Sequence, residues 1–107
     1  MSETFQDVKK LVAKGNIKIS EHGYDELAED GIFIKDIIAG INNGILIEDY
    51  PEYPKGPCSL ILQRDRDKKP VHVVCGIPRD ENSPAVLITA YRPDLDMWNK
   101  DFTRRRK

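Results

Sequence analysis

Cysteine, histidine, methionine and tryptophan are all scarce in this sequence: two, two, two and one among 107 residues. Two cysteines are too few for a disulfide scaffold and fit a reducing cytoplasm, which is the expected location. No apolar run approaches the roughly 20 residues needed to span a bilayer, so no membrane association is expected. The opening residues Met1-Ser2-Glu3-Thr4-Phe5 lack the basic-then-apolar layout of a secretion leader. No C-x-x-C or H-x-x-x-H pair places two ligands on one turn, so no metal site is expected. Phosphate-cradling glycine loops, dinucleotide fingerprints and nucleophile elbows are missing too, and no cofactor is expected. What remains is 39% hydrophobic and 33% charged, enough for one modest core in a single domain spanning 1–107.

An excess of one charge is also missing, since 17 Lys and Arg nearly cancel 18 Asp and Glu to give −1. The cancellation hides an asymmetry. Residues 1–54 hold 5 basic against 11 acidic side chains, and residues 55–107 hold 12 against 7. Such a split can mark a polyanion-facing side and a separate face for a basic partner. The last four residues, Arg104 to Lys107, are all basic. The plainer reading of that end, residues 103–107, is a flexible tail.

The first half carries helical periodicity. Phe5, Val8, Leu11 and Val12 share one face of a segment over 4–14, with Thr4 and Asp7 placed as a capping box and Gly15 as its stop. Ile17 to Ile19 suggests a short strand. Ser20 is placed to cap a helix over Glu21 to Asp30 ended by Gly31, and Ile34, Ile37, Ile38 and Ile41 predict a third helix to Asn43. From Ile45 the pattern changes to strands: Ile45–Glu48, Cys58–Arg64, Val71–Ile77 and Ala85–Tyr91. A turn or short helix over Asp94–Asn99 holds Trp98. Helices first and strands later predict an α+β domain, two to three helices on a curved antiparallel sheet of about four strands.

The polar connector Asp65–Pro70 makes the second and third of these strands a hairpin. A turn centred between Arg66 and Asp67 would set Cys58 opposite Cys75, Leu60 opposite Val73 and Leu62 opposite Val71, all on one apolar side. His72 would then face Ile61, on the side bearing Ser59, Gln63, Val74 and Gly76. A shift of one residue would break this parity.

Histidine is the side chain whose ordinary pKa, roughly 6.5, suits proton transfer near neutrality. His72 is the mid-strand candidate, although a strand histidine is more often structural. His22 lies off the apolar stripe of the second helix, where fixing the helix entry is the plainer role. Around the sheet segment, Lys55, Arg64, Arg66, Lys68, Lys69, Arg79 and Arg92 accompany Tyr53, Tyr91 and Trp98. Metal-free RNA cleavage needs a base for the 2′-hydroxyl, an acid for the leaving 5′ oxygen and cations for the phosphorane. His72 and Tyr91 with Arg64 and Arg92 are the catalytic candidates, and Lys55, Gln63, His22 and Trp98 the substrate-binding ones. The same residues also suit plain single-strand binding without cleavage.

Four segments recur in one order: Ile19-Ser20-Glu21-His22-Gly23 with Asp30-Gly31-Ile32; Glu48-Asp49-Tyr50-Pro51; Pro70-Val71-His72-Val73-Val74; and Thr89-Ala90-Tyr91-Arg92-Pro93 before Trp98. Together they resemble the small bacterial proteins grouped as domain-of-unknown-function family 4258, over about Ile17 to Phe102. That family is regarded as similar to the RelE/ParE-like toxin fold, and Val8–Gly15 looks like the first helix of MqsR-type mRNA-interferase toxins. The resemblance implies a metal-independent ribonuclease of a toxin–antitoxin pair, with a small zinc-finger antitoxin as partner and RNA as substrate. The alternative is a non-catalytic RNA- or protein-binding module on the same fold. The second helix departs from the wider family, having Tyr24, Asp25, Glu26 and Asp30 where many members carry arginines. Such an acidic helix suits a basic partner better than phosphate.

Overall fold

A computed structural model describes residues 3–106. Met1 and Ser2 of the leader reading and Lys107 of the basic tail lie outside the described residues. The order is α1 (Glu3–Ala13), β1 (Ile17–Ile19), α2 (Glu21–Asp30), α3 (Ile34–Gly40), a 3-10 turn (Ile41–Asn43), β2 (Ile45–Tyr50), β3 (Cys58–Arg64), β4 (Pro70–Gly76) and β5 (Ala85–Tyr91). Local chemistry explains the boundaries. Ser20 caps α2, its Oγ accepting from Gly23 N at 3.0 Å, and Gly31 ends that helix at φ 63°, a left-handed conformation glycine adopts without penalty. Thr4 lies inside α1 rather than capping it. The third helix tightens into the 3-10 turn at Ile41, which shortens it from the expected Asn43.

The sheet has five strands, not about four, in the order β1-β5-β4-β3-β2. It is mixed rather than antiparallel, because β1 runs parallel to β5 with Ile17 opposite Ala85. Three residues of strand are too few to announce a parallel partner 68 positions away. The helices contribute Phe5, Val8, Val12, Leu27, Ile37 and Ile41 to a core shared with Ile61, Val71, Val73, Cys75, Leu87 and Ala90 of the sheet.

The β3–β4 register is one residue from the expected one. Cys58 opposes Gly76, Ser59 opposes Cys75, Ile61 opposes Val73 and Leu62 opposes His72. The cause is the turn, which centres on Asp67. Asp65 N donates to Lys69 O at 3.0 Å, Asp65 Oδ1 accepts from the amides of Asp67 and Lys69, and Lys68 takes a left-handed φ of 64°. Because side chains alternate, the single step exchanges faces. Ser59, Ile61 and Gln63 join the helix-covered side. Leu60, Leu62 and Cys58 share the helix-free side with His72. Cys58 and Cys75 therefore point to opposite faces; both are free, and burial pushes the Cys75 thiol up to about 12.

Residues 94–106 return across the helix-free side. Trp98 pairs with Arg105 in an isolated bridge, Asn99 N donates to Arg104 O at 2.9 Å and Arg106 N donates to Met97 O at 2.8 Å. We refer to this segment as the strap.

Candidate functional site

The helix-free face is organised in cross-strand rows. One row runs Ile45, Leu62, His72, Tyr91; the next Glu48, Leu60, Val74, Thr89; and the third Tyr50, Cys58, Gly76, Val86. His72 is 0% exposed. Its Nε2 lies 2.8 Å from Phe102 O, an acceptor only, so Nε2 carries the proton. Nδ1 then accepts from the Tyr91 hydroxyl at 3.2 Å. The Trp98 ring meets the imidazole edge-on with centroids 4.4 Å apart. Burial holds the His72 pKa below its ordinary value, and the Arg105 charge adds to the effect.

Beside this pair stands an ionic group that the strap completes. The Arg105 guanidinium reaches Glu48 through Nε at 3.1 Å and NH2 at 3.0 Å, and stacks 4.7 Å from the centre of the Trp98 ring. The Tyr50 hydroxyl donates to the same carboxylate. The Arg105 hydrogen bond, then that of Tyr50, hold Glu48 below the usual carboxylate range. Burial and the Glu48 hydrogen bond push the Tyr50 phenol up to about 12. Burial raises Tyr91 as well, so its phenol is protonated at neutrality. The arrangement thus offers an ionised acceptor, a cation and a neutral phenol held from behind by an imidazole.

Of the sequence candidates, His72, Tyr91 and Trp98 come together. Gln63 does not, because the register places it on the helix side. Its Nε2 donates to Ile37 O at 3.1 Å, tying α3 to β3, while its buried Oε1 finds no partner among the described residues. Arg64 stands exposed at the end of β3. Arg92 is taken up by Asp65, 2.8 Å away, and its backbone N donates to Asp30. Lys55 and His22 lie away from this group, lining a cleft of about 420 Å³ with Tyr53.

Sequence reasoning missed Glu48, Tyr50 and Arg105. Glu48 and Tyr50 sit in one of the recurring segments, Glu48-Asp49-Tyr50-Pro51, and their two-residue spacing was the available signal. Arg105 carried none, since only the returning strap brings it to β2. Among the described residues no three His, Cys, Asp or Glu side chains gather as metal ligands. No helix among them is long and apolar enough to cross a membrane.

Comparison with known proteins agrees with the recurring segments. The family model described as Domain of unknown function (DUF4258) matches residues 19–92, ending just before the strap. No curated protein and no solved structure shows a significant match. With the match running from β1 to the end of β5, the chain belongs to the DUF4258 family.

Proposed function

We propose that the helix-free face acts on RNA as a metal-independent ribonuclease of toxin type, on a fold similar to the RelE/ParE-like and MqsR-like toxins. The observation that carries this reading is the His72–Tyr91 hydrogen bond standing beside the Arg105–Glu48–Tyr50 group. In this reading the ionised Glu48 takes the proton of a 2′-hydroxyl as that oxygen attacks phosphorus. Arg105 stabilises the phosphorane charge, and Tyr91, turning its hydroxyl from His72 Nδ1 to the departing 5′ oxygen, gives its proton there, leaving a 2′,3′-cyclic phosphate. His72, wholly buried, holds the Tyr91 hydroxyl rather than meeting substrate. The implied zinc-finger antitoxin belongs to the same proposal. The exposed acids Glu21, Asp25 and Glu29 of α2 suit a basic partner.

One observation favours a second reading, a binding module that does not cleave. Both His72 nitrogens and the Glu48 carboxylate are already satisfied within the chain. Incubating purified protein with a long RNA decides between the two. The nuclease yields cyclic-phosphate ends, and Tyr91→Phe lowers the rate about a hundredfold or more. Uncut RNA that is retained at low salt and released as salt rises supports the module. Intact, unretained RNA overturns both.

A further inference from the structure

A second feature lies at the Gly76 end of the sheet, where the start of α2 meets the loop after β2. His72 and Gly76 are four residues apart on β4, roughly 13 Å at about 3.3 Å per residue. At the Gly76 end opens the cleft of about 420 Å³, within the range of small-molecule sites. Its floor is apolar, with Gly76, Val86 and Ile88, and its rim carries Tyr53, Lys55 and His22.

The wall holding Tyr53 and Lys55 is fixed in advance. Ile77 N donates to Pro57 O at 3.1 Å, Arg79 N to Lys55 O at 2.9 Å and Gly56 N to Tyr53 O at 3.0 Å. Arg79 Nε also holds Pro54 O at 2.9 Å. Two glycines permit this closeness. A Cβ at Gly76 would lie 2.4 Å from Pro57 O, and one at Gly56, whose φ is 138°, would lie 2.1 Å from Ile77 O. His22 Nε2 sits 3.4 Å from Glu26, whereas Lys55 is exposed and no carboxylate among the described residues pairs with it.

An apolar slot with an exposed aromatic ring on its rim accepts a flat base, and an unneutralised ammonium at its mouth accepts a phosphate. We infer that this cleft seats one nucleotide of a single-stranded RNA, its base between the Val86–Ile88 floor and the Tyr53 ring and its phosphate on Lys55. The inference rests on the RNA-acting reading and adds a place for substrate at the end of β4 opposite His72.

The test titrates the full chain with uridine monophosphate and with a hexauridylate, following amide shifts by NMR. Inorganic phosphate and a proline-rich peptide serve as controls. Gly76, Val86 and Lys55 amides should move with both nucleotides. Tyr53→Leu and Lys55→Ala should each weaken binding about tenfold with the fold unchanged by circular dichroism. No shift at these amides overturns the inference, as does an equal response to phosphate alone. A response to the peptide instead of the nucleotides overturns it too. Nucleotide binding in a chain that never cuts RNA would sink the nuclease reading and keep the cleft. Cleavage with unweakened binding in the Tyr53 and Lys55 variants would do the reverse.

Discussion

Each nitrogen of His72 has a different partner, a carbonyl of the strap on one side and a phenol of β5 on the other. Truncation to alanine removes a fully buried ring and both hydrogen bonds, so His72→Ala should cost about 3 kcal/mol, read from urea denaturation. The sign of the pH effect follows from burial. With its folded pKa lowered, His72 binds a proton less readily in the native state than in the unfolded chain, where it titrates near about 6.5. Its contribution is therefore complete above that pH and is lost as pH falls from there toward the folded value. Glu48, lowered from the carboxylate range, titrates well below this window. Stability should drop between pH 7.5 and 5.5, and by less in His72→Gln. An equal drop in both proteins would show that another group governs the window.

Among the elements, the strap and the Tyr53–Pro57 loop depend most on single residues. Arg105 clasps β2 from the strap, but its side chain is 53% exposed, so solvent screens the ion pair. Arg105→Ala should cost only about 0.5–1 kcal/mol globally. It should instead speed amide hydrogen exchange at Asn99 and Arg106 while leaving β3 and β4 protected. Uniform acceleration would mean that the strap and sheet open together. Gly56 is a sterner case. Its backbone conformation alone would cost a side chain about 1–3 kcal/mol, before the collision with Ile77 O. Gly56→Ala should lower the denaturation midpoint clearly, and it should weaken nucleotide binding further by displacing Tyr53 and Lys55.

At the scale of the molecule, the acidic and basic halves of the sequence meet instead of separating. Asp36 holds Arg66 at 2.9 Å, Glu48 holds Arg105 and Asp30 accepts from the Arg92 backbone. The pairings with Asp36 and Glu48 take up Arg66 and Arg105, while Lys55, Arg64, Lys68, Lys69, Arg79, Lys100, Arg104 and Arg106 stay exposed. Binding of RNA should accordingly weaken steeply as salt rises, because these side chains can neutralise several phosphates. A filter-binding series from 50 to 200 mM salt measures the slope, and a shallow one would show that few of these side chains reach phosphate.

Most elements were legible before any coordinates, because caps, stops and periodicities are local. Ser20, Gly31 and the Ile34–Ile41 stripe each act within a turn or two of chain. The hairpin register was not legible, since it hangs on whether the turn centres on a residue or between two. Asp65 and left-handed Lys68 decide that by hydrogen bonds no composition displays. The parallel β1–β5 pairing and the strap are long-range in the same sense.

The sequence by itself therefore determined the α+β class, the helices, the places of the strand segments, and the His72 and Tyr91 strand positions. Local propensity and spacing suffice for these. Only the tertiary structure decided that His72 is sealed, that Gln63 serves the helices, and that Glu48, Tyr50 and Arg105 gather beside Tyr91. Those outcomes depend on which face a strand presents and on where a distant segment returns, and both are set by packing free energy over the whole chain.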